Sequence, residues 1–291
     1  MPKLLRSLLF LWFIAYFAPS AQGQDVQFSQ FYAAPLYLNP AMTGATELTR
    51  VGTIFRNQWP GLDHSFVSYS AFIDHYIFDY NSGIGLIVNS SRESLANLAT
   101  DEIGLLYSYR LQLSSSQFLR LGGQVSYINR SAFFNDLVFN SMINLGAQNN
   151  ALTDELGGLL EDAQHSFFNY SFGALYTDTK HWLGVSTHHV TQPSISFLED
   201  PTEEDLRIAR LPLKLSVHGG IRFPLGGDYT NYLTGETFER SISFAFNYKQ
   251  QDPFNQLDLG TQINLDPLVL GLWYRVFRPK MPCRITRPSS H

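Results

Sequence analysis

The sequence predicts an all-β protein, a transmembrane antiparallel β-barrel. Three observations carry that expectation. Charged residues make up only 15% of the chain and aromatics 14%, whereas ordinary soluble domains carry about 25% charge. No stretch after the N-terminal leader approaches the run of about 18 apolar residues that a spanning helix needs. Segment after segment alternates with a period of two, one face almost wholly apolar and the other polar or glycine. In lipid without helices, the arrangement that satisfies every backbone group is a closed sheet. A soluble sandwich also alternates, but here aromatics gather near the segment ends, as interfacial girdles require.

The elements follow in order. Residues 1–23 read as a signal peptide. Lys3 and Arg6 give a positive start, Leu8 to Phe17 an apolar core, and Ala21-Gln22-Gly23 small residues for cleavage near Gln24. No cysteine follows the apolar core, so a lipoprotein signal is not expected. Residues 24–48 come next and contain "QFSQFYAAPLYLNPAMTG", from Gln27 to Gly44. Pro35 and Pro40 would break a strand ladder, so this cannot be a lipid-facing strand. Phe28, Phe31, Tyr32, Leu36, Tyr37 and Leu38 are too apolar for a free tail. The segment is expected to fold as a hatch against the periplasmic mouth or interior of a barrel. The alternative is a periplasmic docking peptide that orders only on a partner.

About eleven strands are readable in 49–276: 49–58, 66–75, 83–91, 100–113, 118–130, 166–178, 181–190, 211–223, 240–250, 256–265 and 268–276. In "RSISFAFNYKQ", Ile242, Phe244, Phe246 and Tyr248 share a face opposite Ser243, Ala245 and Asn247. In "GLLYSYRLQL", Leu105, Tyr107, Tyr109 and Leu111 oppose Gly104, Ser108 and Arg110. Connections 114–117, 178–180 and 266–267 are short, and 131–165 and 191–210 are long. With the N-terminus in the periplasm, short turns fall on the periplasmic side and long ones outside. The stretch 224–239 reads as a long connection on the side of the short turns.

Eleven is odd, whereas single-chain bacterial barrels have even strand numbers. After Tyr274 the alternation is expected to stop, and 277–291 reads as a basic, Pro-rich tail holding the single cysteine, Cys283. Two readings stand: a basic disordered tail, or a truncated or frame-shifted chain. The odd count favours the second. Net charge is −5 overall, −7 without Lys3 and Arg6, and −11 when Arg278, Lys280, Arg284 and Arg287 are also left out. A body this acidic disfavours nucleic acid as a partner.

Catalytic, cofactor and metal motifs are not evident, and no enzyme activity is expected. His188 and His189 are neighbours, which on a strand point to opposite faces, so they read as interfacial or loop histidines and not as a chelating pair. Ser216 and His218 share a face, expected to be the lumen side, which argues against a lipid-hydrolysing pair on the outer surface. Gly219 and Gly220 are expected to relieve crowding inside the barrel. The acidic run 199–207 reads as solvated outer loop.

Five blocks together resemble the PorP/SprF family of type IX secretion system outer-membrane proteins of Bacteroidetes. They are "DVQFSQFYAAPLYLNPAMTG" (25–44), "RNQWPGL" (56–62), "HHVTQPSISFL" (188–198), "LPLKLSVHGGIRF" (211–223) and "FNQLDLGTQINLDPLVLGLWYR" (254–275). The resemblance spans 25–275, and the residues after Arg275 are expected to depart from it. It implies a bacterial outer-membrane barrel of about 14 strands that serves protein secretion, gliding motility or surface attachment of adhesins. Implied partners are outer-membrane lipid, a periplasmic peptidoglycan-binding lipoprotein, the ring and motor components, and the C-terminal sorting domains of cargo. No cofactor is implied. A passive porin or FadL-like transporter is the alternative. Candidates for hatch or partner contact are Phe28, Phe31, Tyr32, Pro35, Leu36, Asn39 and Pro40 in the first block, and His188, His189, Gln192 and Pro193 in the third.

Overall fold

The computed structural model describes residues 25–26, 28, 30–61, 65–94, 97–132, 163–197, 202–203, 209–230, 237–252, 254–265 and 268–279. Residues 1–23, read above as a signal peptide, most of the acidic run and the tail beyond Pro279, Cys283 included, lie outside them.

Among the described residues eleven strands form one antiparallel sheet in chain order. They are β1 (Arg50–Gln58), β2 (Phe66–Ile77), β3 (Ser82–Glu93), β4 (Leu98–Gln112), β5 (Phe118–Ala132), β6 (Ala163–Thr177), β7 (His181–His188), β8 (Lys214–Thr230), β9 (Thr237–Gln251), β10 (Phe254–Asn264) and β11 (Val269–Pro279). Each pairs with its sequence neighbours, an up-and-down meander whose antiparallel joins need only short turns. Among the described residues β1 and β11 do not pair with each other, so the sheet is not closed there. No helix among the described residues is long and apolar enough to cross a membrane.

The alternation is inverted relative to a water-soluble protein. On β4, Leu105 is 68% exposed, whereas Ser108, on the other face, is fully buried. On β2, Ser68, Ser70 and Asp74 are buried, with Tyr69 and Ile73 exposed. Large apolar side chains cover the outside on strand after strand, among them Val51, Val125, Phe172, Leu183, Phe244 and Leu272. Such a surface is stable where the surrounding solvent is hydrocarbon. The inner face is lined by Ser, Asn, Gln and Gly, and what buries it is the N-terminal segment.

Two strand expectations need correction. The stretch 224–239 is not a long connection, since β8 runs to Thr230 and β9 starts at Thr237. A register shift between Leu225 and Tyr229 lets the hairpin continue past Pro224, which cannot donate to the ladder. The second concerns β11. The strand does not stop near Tyr274, because pairing with β10 continues to Phe254↔Pro279.

Candidate functional site: the N-terminal segment on the inner face

Residues 25–49 turn tightly through a 3-10 turn (Phe31–Ala33), one α-turn (Pro35–Leu38) and a second 3-10 turn (Pro40–Met42). Both prolines sit at the first position of their turn, where the missing N–H is unneeded and the fixed φ suits helical geometry. That is why a segment poor in both strand and helix character adopts this path. Asn39 caps the last turn, its Oδ1 accepting from Ala41 N at 2.9 Å. Gly44 follows with φ of 65°, the left-handed region glycine tolerates, packed against Gly83.

The segment is anchored along its length to β1 through β9 and to β11. At its first residue, Asp25 Oδ2 lies 2.7 Å from His189 Nε2 and 3.0 Å from Lys214 Nζ. Burial pushes the Asp25 carboxyl up, but His189 and Lys214 overcome it and hold the group well below the usual carboxylate range. Lys214 Nζ also sits 4.6 Å from the Tyr37 ring centre. The Tyr37 OH donates to Val26 O at 2.7 Å. Phe31 packs edge-on against Trp273 and Tyr32 stacks on it, with centroids 4.9 and 5.0 Å away. Leu36 is fully buried in the apolar cluster of the inner face, with Phe72, Ile87 and Leu106.

The middle of the segment rests on a seat of small residues. Leu38 O accepts from Ser186 Oγ at 2.7 Å and lies 3.2 Å from His188 Nε2. Asn39 Nδ2 faces Ala174 O (3.1 Å), Val185 O (3.3 Å) and His218 Nε2 (3.3 Å). A Cβ at Gly173 would overlap the Asn39 side chain, one at Gly122 the backbone of Ala41, and one at Gly83 the carbonyl of Thr43. Ser108, between Gly83 and Gly122 on the intervening strand, donates to Thr43 O at 2.6 Å. The final part is charged. Gly44 N donates to Asp74 Oδ2 at 2.7 Å, and Arg50 holds the same carboxylate through both its oxygens at 2.9 Å. Glu47 pairs with Arg110 and lies 3.5 Å from Arg120.

Of the sequence-derived candidates, the structure brings Phe31, Leu36, Asn39, Pro40, His188 and His189 together as buried residues. Phe28 is buried too, with its carbonyl accepting from Arg275 at 3.4 Å. Tyr32 and Pro35 are on the same segment but more accessible. Gln192 and Pro193 lie in the connection after β7, with Gln192 N donating to His189 O and Pro193 O accepting from Leu211 N. The reading of His188 and His189 as interfacial is corrected: His188 closes β7 and His189 is a loop residue just after it, and both are buried against the N-terminal segment. Strand alternation ends at His188, and His189 has φ of 59°. That left-handed turn swings the second imidazole inward beside the first, which period-two reasoning does not allow.

The seat and the charge anchors were missed. Gly83, Ser108, Gly122, Gly173 and Ser186 do occupy the inward phase of their strands, so their smallness was a readable signal. Asp25, Glu47 and Lys214 gave none without their partners. Among the described residues Ser216 Oγ and His218 Nδ1 have no hydrogen-bond partner, and both residues are fully buried on the inner face. A nucleophile and base in contact on the outer surface is therefore not what these two residues form. Among the described residues no group of three or more His, Cys, Asp or Glu is placed to hold a metal ion.

The whole sequence bears on identity as well. It matches, over residues 20–283, the family described as type IX secretion system membrane protein PorP/SprF. The chain belongs to the PorP/SprF family. The match includes the N-terminal segment and every strand, and it runs past Arg275, where the likeness was expected to end. No curated protein matches the chain, and neither does any solved structure. As a PorP/SprF member the protein is a membrane component of a type IX secretion system. Its apolar outer face and polar inner face are those of a β-barrel membrane protein.

Proposed function

We propose that this chain is a non-enzymatic outer-membrane barrel whose lumen is occupied by its own N-terminal segment. In this reading it supports secretion or surface attachment of cargo adhesins, reached through a cleaved signal peptide. Its partners are a periplasmic lipoprotein, the ring and motor components, and cargo sorting domains. The observation that supports it is the density of anchoring from Asp25 to Arg50. A pore built for solutes gains nothing from a segment held by ion pairs at both ends and by close backbone seating between. A scaffold that must not leak does.

The runner-up, a passive porin or FadL-like transporter, is favoured by the polar residues that line the inner face. Planar-bilayer recording separates the two. The intact protein is expected to show no steady conductance, and deletion of residues 25–44 to open one. Steady conductance of the intact protein would favour the transporter. In cells, loss of the protein is expected to abolish surface display of a cargo adhesin and leave small-solute uptake unchanged.

A further inference from the structure

The direction in which the N-terminal segment lies carries a consequence of its own. In an up-and-down sheet every strand end belongs to one of two mouths. The connections 133–162 and 189–213 both join strands at the same mouth, called here the long-loop mouth. The turns 113–117 and 178–180 join strands at the opposite, short-turn mouth.

Asp25 is held at the long-loop mouth. Its partners are His189, directly after the last residue of β7, and Lys214, the first residue of β8. Its backbone N lies 3.4 Å from Oε1 of Gln251, the last residue of β9. All three positions lie at that mouth. The chain then descends. Leu38 is level with Ser186 and Asn39 with Val185, on β7. Thr43 reaches Ser108, near the end of β4, and Glu47 reaches Arg110 beside it. The segment then enters β1 at Arg50, at the short-turn mouth.

We infer that residues 25–49 thread the barrel from end to end, so that the chain preceding Asp25 emerges at the long-loop mouth. The mature N-terminus is then displayed on the same side of the membrane as the long connections, opposite the short turns. A hatch inserted from the short-turn side would keep its free end there; this one enters β1 only after crossing. The inference rests on the segment occupying the barrel. It does not depend on what the barrel does for secretion.

Impermeant maleimide labelling of the full chain in intact cells tests it, with Cys283→Ser as the background. Gln24→Cys reports the N-terminus, Ser115→Cys a short turn, and Asn149→Cys a long connection. Heat-modifiable migration on gels confirms that each variant is folded. Gln24→Cys is expected to react from the same side as Asn149→Cys, with no gain on permeabilisation if that side is external. Ser115→Cys is expected to show the opposite sidedness. Reaction of Gln24→Cys together with Ser115→Cys would overturn the threading, as would its failure to react from either side until the barrel is denatured. The conductance test above is separate: a conducting intact barrel with an N-terminus at the long-loop mouth would sink the sealed-scaffold reading and leave the threading standing.

Discussion

Single residues decide whether the N-terminal segment stays docked. Gly173 leaves no room for a side chain, because any Cβ meets the Asn39 amide that bridges β6, β7 and β8. Gly173→Val keeps a good strand former in β6 but should expel the segment, at a cost of about 1–3 kcal/mol by overpacking. The measurement is protease cleavage within residues 25–44 together with bilayer conductance. Both are expected to rise with heat-modifiable migration unchanged. Asp25→Asn leaves Lys214 buried without its anionic partner, and should weaken docking by about 3 kcal/mol. The pH dependence follows from the same group. A carboxyl depressed in the docked state stabilises docking above its undocked value of about 4 and loses that contribution as pH falls through the docked value. The Asp25 contribution should therefore hold from neutrality to about pH 4 and fade only below it. An Asp25→Asn variant that docks as firmly as the parent at neutral pH, read by protease cleavage within residues 25–44, would contradict this assignment.

At the scale of elements, the strands and the segment they enclose are held by different physics. Each strand carries its apolar side outward, so a charge placed there is penalised by hydrocarbon. Leu105→Arg on β4 should cost about 2–4 kcal/mol if the position lies near the bilayer midplane. Its readout is the fraction of folded protein after refolding into liposomes. The strands were legible because period two is a local property: about eleven were readable and eleven are present among the described residues, with ends shifted by a few residues. The long extension of the β8–β9 hairpin was not legible, since Pro224 and two following glycines resemble a loop unless the bulge that accommodates them is seen. The N-terminal segment was legible as something other than a strand, by its prolines, but its turns were not. They are too short to leave a helical period.

For the whole molecule, the inner and outer faces set the role. The outer face suits lipid, and the inner face is complementary to one segment of the same chain at charged, apolar and close-packed points in turn. Deleting residues 25–44 should therefore leave a sheet that still inserts, since outer-face burial in lipid is untouched, but with an exposed polar lumen. Comparing bilayer insertion with conductance for that deletion separates assembly from sealing. Insertion is expected to persist and conductance to appear.

The sequence by itself determined the class of solvent, the readable strands and their antiparallel order, because each depends on neighbours one or two positions away. It also carried the family, through blocks whose residues are legible as text. Only the tertiary structure decided which small residues form a seat, which carboxylate meets which cation, and the direction in which residues 25–49 lie. Those facts join positions as distant as Asp25 and Lys214, or Asn39 and Val185. No local pattern encodes such a pairing. It exists only once the sheet has curved round the segment and brought the two ends of the chain's contacts to opposite mouths.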